Sequence, residues 1–365
     1  MIVYQITAVL FKLILRIFVV VFINNVRDKT SFNNNTGEKG YEQYSRWASE
    51  ELDKVKRIIY MISKLINGDI WKDTRGNTIH AHGGHILFFQ GVYYWYGENR
   101  TGNRYVSVYA STDLMNWEFI NDVLTTESKT EKYRVKTDTS LVTDDGSKIN
   151  IERPKVIYNE KTKKFVMWMH VENGRDYSLA ACAVAVSDTP CGHFTYLGSF
   201  NPFGYMSRDC TLFVDDDKTA YFISASRENA DLHMYRLTDD YLNVDSLVNN
   251  LWQGEYREAP AVVKHNDKYY MFSSYCTGWA PNQCKYAVAD KMDGRWSVLT
   301  EIGDETTYRT QPAFFLTVED SGNIYYFSDR WNGKDYNDSR YVVLPLEFDD
   351  EGKPILEYKD EVEIR

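Results

Sequence analysis

One short strand signature, repeated five times, constrains this chain more than anything else in it. The copies are GVYYWYGE (Gly91–Glu98), KKFVMWMH (Lys163–His170), KTAYFISA (Lys218–Ala225), DKYYMFSS (Asp267–Ser274) and GNIYYFSD (Gly322–Asp329). An apolar run precedes each copy, and the copies begin about 50 to 70 residues apart, the range of propeller blades and kelch-like arrays. A small antiparallel sheet cannot bury both of its faces alone. Stacking against neighbours and closing into a ring covers the faces and protects the edges. The pattern predicts an all-β fold, a five-bladed β-propeller over residues 69–365, preceded by an N-terminal hydrophobic segment and a helix.

A polar residue stands upstream of each aromatic strand: His82, Glu152, Asp209, Glu258 and Gln311. If every blade runs its first strand along the central channel, these five meet at one end of it. Such a funnel is concave, partly desolvated and rich in aromatics, which is where acids with perturbed pKa values are useful.

Composition narrows the partners. Aromatic residues make up 15% of the 365 residues, fitting a β-rich fold or a sugar-binding surface. The net charge is −10, with no basic run in the main body, which argues against nucleic acid. The five cysteines contain no CxxC pair, so no metal ligands are expected among them. Cys276 and Cys284 enclose the loop TGWAPNQ and are either a local disulfide or two free thiols.

Residues 1–27 hold an apolar run, Ile2 to Ile23, broken by Lys12 and Arg16. They are expected to be a signal peptide or a membrane anchor, giving a secreted or membrane-anchored, extracellular protein. Residues 28–68 are expected to form a polar linker and an amphipathic helix. Leu52, Val55, Ile59, Ile62 and Ile66 recur at helical spacing, and Gly68 ends the run.

Each of the three acids has an arginine beside it: Glu152–Arg153, Arg208–Asp209 and Arg257–Glu258. A neighbouring cation favours the ionised carboxylate and burial favours the neutral one, so such acids can be driven apart in pKa. Glycoside hydrolysis needs that arrangement, with one protonated acid for the leaving oxygen and a second group to handle water. The alternative for any one acid is an ion pair tying blade starts together. Tyr96, Tyr177, Trp279 and Trp331 are candidates for stacking on a pyranose ring. His80 and His82 could bind a sugar hydroxyl, hold a central cation through water, or satisfy backbone carbonyls.

The segments AHGGHILFFQGVYYWYGE, ERPKVIYNEKTKKFVMWMH, SRDCTLFVDDDKTAYFIS, REAPAVVKHNDKYYMFSSYCTGWAPN and YRTQPAFF resemble the blade signatures of family 43 glycoside hydrolases. More narrowly they resemble the exo-β-1,3-galactanase subfamily. The resemblance implies an inverting glycosidase with Glu258 as general acid and Glu152 as the second acid. The aspartate base usual at the start of blade one is replaced by His82-Gly83-Gly84, and Gln311 stands where the subfamily's substitute does. Whether Gln311 positions water, acts as an imidic-acid tautomer, or leaves the proton to Glu152 is open at this stage. The resemblance places Asp209, Asn229 and Thr277 at pocket positions able to bind sugar hydroxyls, and His82 is counted with them as a candidate for substrate binding.

The expected function is release of galactose from β-1,3-galactan, such as an arabinogalactan backbone. The alternatives are another family 43 specificity (arabinofuranosidase, xylosidase or galactofuranosidase) or a carbohydrate-binding propeller without catalysis. A polysaccharide or oligosaccharide is the expected partner, the protein is expected to be a monomer, and no cofactor is required. A structural calcium ion on the propeller axis is the one exception that this fold allows.

Overall fold

The structure, a computed structural model, describes residues 64–365. The signal or anchor segment, the linker and nearly all of the helix expected from the sequence lie outside the described residues. The last of that helix is corrected: Leu65–Ile66 form a strand, β1.

Blade one comprises β2 (His82–Phe89), β3 (Val92–Glu98), β4 (Arg104–Ser111) and β5 (Glu118–Thr125). Blade two comprises β6 (Asn150–Asn159), β7 (Lys164–Glu172), β8 (Ala181–Ser187) and β9 (Thr195–Phe200). Blade three is β10 (Cys210–Val214), β11 (Ala220–Ser226), β12 (Asp231–Leu237) and β13 (Val244–Leu251). Blade four is β14 (Arg257–His265), β15 (Lys268–Tyr275), β16 (Lys285–Ala289) and β17 (Thr300–Glu301). Blade five is β18 (Gln311–Thr317), β19 (Ile324–Arg330), β20 (Arg340–Phe348) and β21 (Pro354–Leu356), and β22 (Glu361–Val362) follows it. Every blade is a four-stranded antiparallel sheet in sequence order. Among the described residues helical structure is limited to two 3-10 turns, and no helix is long and apolar enough to cross a membrane.

Tight hairpins set the registers. Asn266 and Asp267, between His265 and Lys268, both have positive φ, as do Gln90 and Gly91 between Phe89 and Val92. A two-residue loop with both φ values positive matches the twist of the strands it joins.

The core explains why neither face of a blade reads as polar. Successive residues of a strand point to opposite faces, and here both faces are buried against a neighbouring blade. Val156, Phe165 and Met167 pack on blade one, while Ile157, Val166 and Trp168 pack on blade three. One apolar cluster fills each of the five junctions between adjacent blades.

Among the described residues no strand is exchanged to close the ring. The seam between blades five and one is joined by other means: β1 pairs with β22, and Asn67 bonds the backbone of Val343 in both directions. The Tyr341 hydroxyl bonds Ala81 N and Ile79 O. His82 Nδ1 lies 2.9 Å from Asp329 Oδ1, both side chains being buried.

Near the channel, the buried Lys155 ammonium donates to the Gly83 carbonyl, with Asp329, Glu98, Cys210 and Arg153 around it. A calcium ion on the axis would have to share this space with Lys155 and Arg153, two buried cations.

Candidate active site

Four of the five upstream polar residues, Glu152, Asp209, Glu258 and Gln311, converge on one cavity, and a backbone bulge recurs beside this position in four of the blades. His82 pairs with Glu98, Glu152 with His170, Glu258 with Ser274 and Gln311 with Asp329 across the first two strands of their blades. In blade three Asp209 holds the equivalent place, its backbone carbonyl accepting from Ala225 N at 3.0 Å. Directly after His82, Glu152, Glu258 and Pro312 the register slips by a β-bulge. The residue following three of them is in the left-handed region: Gly83 (φ 57°), Arg153 (54°) and Ala259 (49°). A bulge re-aims side chains at the end of a strand, and left-handed non-glycine residues persist only where the surroundings hold them. In blade one the approach is closer still. A Cβ on Gly84 would sit 2.0 Å from the Tyr96 carbonyl oxygen, so His82 is followed by two glycines.

The cavity at this end is about 350 Å3, and Glu152, Asp209, Glu258, Gln311, Asn229, Tyr177, Trp279 and Trp331 line it. Glu258 is 8% exposed. Its Oε1 accepts from Gln311 Nε2 at 2.9 Å and its Oε2 from Asn229 Nδ2 at 3.3 Å. Burial and the negative charge of Asp209 push its carboxyl up to about 7, against the opposing pull of Cys276, Arg153 and Gln311. A carboxyl with that pKa carries a proton near neutrality, as a general acid must.

Glu152 has the opposite setting. Its Oε1 accepts from Arg100 Nη2 at 2.9 Å and from the Tyr177 hydroxyl at 3.0 Å, and its Oε2 lies 3.3 Å from His170 Nδ1. Burial works to raise its pKa, but His170, Arg100 and Tyr177 overcome it and hold the carboxyl at about 2. His170 is clamped from the other side by Glu172, at 2.8 Å from Nε2. Burial works against the imidazolium, yet its two carboxylate neighbours, Glu152 and Glu172, raise it to about 9. One pocket therefore contains one carboxyl raised to hold its proton up to about pH 7 and one held ionised.

Gln311 has all four of its amide bonding positions filled. Nε2 donates to Glu258 and to Ser274 Oγ, each at 2.9 Å, while Oε1 accepts from Trp331 Nε1 at 2.7 Å and from Arg153 Nη2. Arg153 also donates to Pro312 O at 2.7 Å and pairs with Asp209 at 3.1 Å. Trp331 stacks on Tyr336, and Trp279 meets both rings edge-on. These three rings form an aromatic wall suited to the apolar face of a sugar.

Three expected site residues are not where the sequence suggested. Tyr96 is fully buried in the core between blades one and two, its hydroxyl tied to Pro190 O, so it cannot stack on a substrate. Thr277 lies outside the cavity lining, its hydroxyl donating to Ala280 O within its own loop. His82 is buried, bonded to Asp329 and stacked on Tyr341, so its imidazole serves the seam rather than a sugar. Cys276 and Cys284 are free thiols, Cys276 accepting from Asn229 Nδ2 at 3.0 Å and Cys284 deep in the core.

The sequence reading missed Glu98, Arg100, Arg153, His170, Arg208, Cys276 and Tyr336, all of which line the cavity. The signal was available for two of them. Glu98 and His170 are the last residues of their aromatic segments, and register places that column opposite the five funnel residues. The Glu98 carboxylate accepts from Arg100, Tyr336 and the backbone of Arg153, joining blades one, two and five.

Comparison with known proteins agrees with this geometry. The family model for glycosyl hydrolases family 43 matches residues 84–302. A solved exo-β-1,3-galactanase from Clostridium thermocellum is 47% identical, with a TM-score of 0.76, over 83% of this chain and 67% of that one. An exo-β-1,3-galactanase from Phanerochaete chrysosporium, solved with β-1,3-galactotriose, is 37% identical over 83% of this chain and 68% of that one, with a TM-score of 0.75. A family 43 β-1,3-galactosidase solved with galactodeoxynojirimycin is 35% identical over 81% of this chain and 99% of that one, with a TM-score of 0.73. No match is found among curated proteins. A five-bladed ring, two carboxyl groups set apart in pKa and a family match spanning four of the blades lead to one conclusion: this chain belongs to glycosyl hydrolases family 43.

Proposed function

We propose that this protein is an exo-acting, inverting glycosidase that releases galactose from the end of β-1,3-galactan chains. The observation that carries the reading is the contrast between Glu258, which holds its proton up to about pH 7, and Glu152, ionised down to about 2, in one sugar-sized cavity. The neighbouring structures named for β-1,3-galactan activity support the choice of sugar. Glu258 protonates the departing glycosidic oxygen. Between the two candidates for receiving the proton of water, Glu152 is an ionised carboxylate, whereas Gln311 is an amide, a far weaker base. We therefore assign proton acceptance to Glu152 and the orientation of Glu258 to Gln311. The aromatic wall of Trp279, Trp331 and Tyr336 receives the sugar ring, and Tyr177, Asn229 and Asp209 meet its hydroxyls. The apolar stretch Ile2–Ile23 supports export to where such polymers occur.

The test is incubation with β-1,3-galactan and a panel of aryl glycosides, followed by NMR of the first product. Galactose appearing first as the α anomer is expected, since inversion of a β linkage gives α. Cleavage of arabinofuranosides or xylosides in preference to galactosides would overturn the substrate, and first release of the β anomer would overturn the stereochemistry.

A further inference from the structure

We propose that Arg153 is a positioning residue: its guanidinium fixes the side-chain amide of Gln311 in one orientation, and so keeps an N–H bond directed at the Glu258 carboxyl. The inference rests on the assignment of Glu258 as the proton donor.

The argument begins with the backbone. Arg153 is a non-glycine residue at φ 54° inside the bulge that follows Glu152. That strained turn is held by its N–H, which donates to Glu98 Oε1 at 2.9 Å. It sends the side chain away from its own blade to the far side of the channel. There one terminal nitrogen donates to Pro312 O at 2.7 Å, and the other donates to Gln311 Oε1 and pairs with Asp209 Oδ2 at 3.1 Å. The residue is 3% exposed, so none of these bonds competes with bulk water.

An amide can rotate by half a turn and exchange its oxygen for its nitrogen. At Gln311 that rotation would face an NH2 group toward two donors, Arg153 Nη2 and Trp331 Nε1, and would turn the carbonyl toward Glu258. Trp331 Nε1 would lose its acceptor and Arg153 Nη2 would keep only Asp209, both facing an NH2 group, and a donor shut away without an acceptor is costly. Trp331 alone could turn aside with its ring. Arg153 cannot, because its second nitrogen is anchored on Pro312 O.

Arg153 also acts on Glu258 through its charge. The groups facing Glu258 are Asp209 from blade three, Arg153 from blade two, Gln311 from blade five, Asn229, Cys276 and its own neighbour Arg257. Burial and Asp209 favour the proton on Glu258, while Arg153 and Gln311 oppose it. Removing the guanidinium therefore removes two opposing influences at once.

The experiment uses the full chain with Arg153→Met and Arg153→Lys, folding being checked by thermal melting. Two readouts need no substrate. One is the titration of Glu258 by carbon-13 NMR of labelled glutamate carboxyls, assigned by its loss in Glu258→Gln. The other is the pair of Gln311 side-chain amide signals, assigned by their loss in Gln311→Glu. In Arg153→Met the Glu258 midpoint should rise by about one pH unit, and the two amide signals should move and broaden. In Arg153→Lys the charge remains and the fork is lost, so the midpoint should rise less than in Arg153→Met while the amide signals still change. Where galactan is cleaved, kcat should fall about 10- to 100-fold in both variants with KM little changed. Unchanged amide signals in either folded variant would overturn the proposal, and if Arg153→Met does not fold, Arg153→Lys decides. A protein that cleaves no galactan but shows these NMR changes would sink the substrate assignment and leave the role of Arg153 standing.

Discussion

The side-chain amide of Gln311 donates to the carboxyl of Glu258 at 2.9 Å. Inverting glycosidases keep acid and base about 6.5–9.5 Å apart, to leave room for water beside the sugar. A group touching the acid is badly placed to work from the opposite side of the ring. This contact supports the proposed division of labour, with Gln311 beside the proton donor and the chemistry of water assigned to Glu152.

Replacing Glu152 with alanine should lower kcat by at least 10³-fold, and added azide should restore turnover, giving α-galactosyl azide detectable by mass and NMR. Gln311→Ala should cost about 10²-fold with no rescue by azide, because it frees Glu258 rather than deleting a base. Rescue of Gln311→Ala, and not of Glu152→Ala, would reverse the two roles.

The pH dependence follows from the two carboxyl groups. Glu258 must carry its proton and loses it at about 7, whereas Glu152 must be ionised and is so down to about 2. Galactose release should be flat through the mildly acidic range and fall about tenfold per unit above pH 7. A profile rising between pH 7 and 9 would contradict the assignment of Glu258.

Glu258→Gln should abolish turnover and yet stabilise the fold under alkaline conditions. A carboxyl whose folded pKa is raised favours the folded state fully below its ordinary value of 4.5, and loses that contribution as the pH rises to about 7. At pH 8 the native protein holds a buried charge there, at a cost on the order of 2–3 kcal/mol. The amide has no such charge, so melting should rise by about 4 °C at pH 8 and barely change at pH 5. Equal shifts at both pH values would remove the electrostatic explanation.

His82→Ala should destabilise the ring by about 3 kcal/mol, since it removes one of the two hydrogen bonds to the buried Asp329 side chain and leaves the Gly83 N–H at 2.9 Å as the other. Thermal melting measures it directly. A change below about 0.5 kcal/mol would show that the seam does not depend on this pair.

The blades were legible in the chain because their physics is local. Runs such as FVMWM, apolar at both odd and even positions and bounded by turn residues, read as strands covered on two sides, and those turn residues mark the hairpins. Glu152, Asp209, Glu258 and Gln311 were legible because they share one position of a repeat. The partners were not, for reasons of range. Arg153 meets Gln311 only after a left-handed turn and ring closure, and Arg100 reaches Glu152 from another blade. Tyr96 and His82 were misjudged because residue type favoured a sugar while their surroundings had already claimed them: Pro190 takes the Tyr96 hydroxyl and Asp329 the imidazole. Leu65 and Ile66 continue a helical spacing, but Val362 and Glu361 offer them a strand.

Each sheet is one unbroken stretch of chain, so heat has a preferred place to start. The junction where the last blade meets the first is sewn by side chains and a two-residue ladder, and it is expected to gape before any other. Gln311, Trp331 and Tyr336 stand on one lip of that gap, and Glu98 stands on the other. On gentle warming, catalysis should therefore vanish while the circular dichroism of the strands is still intact.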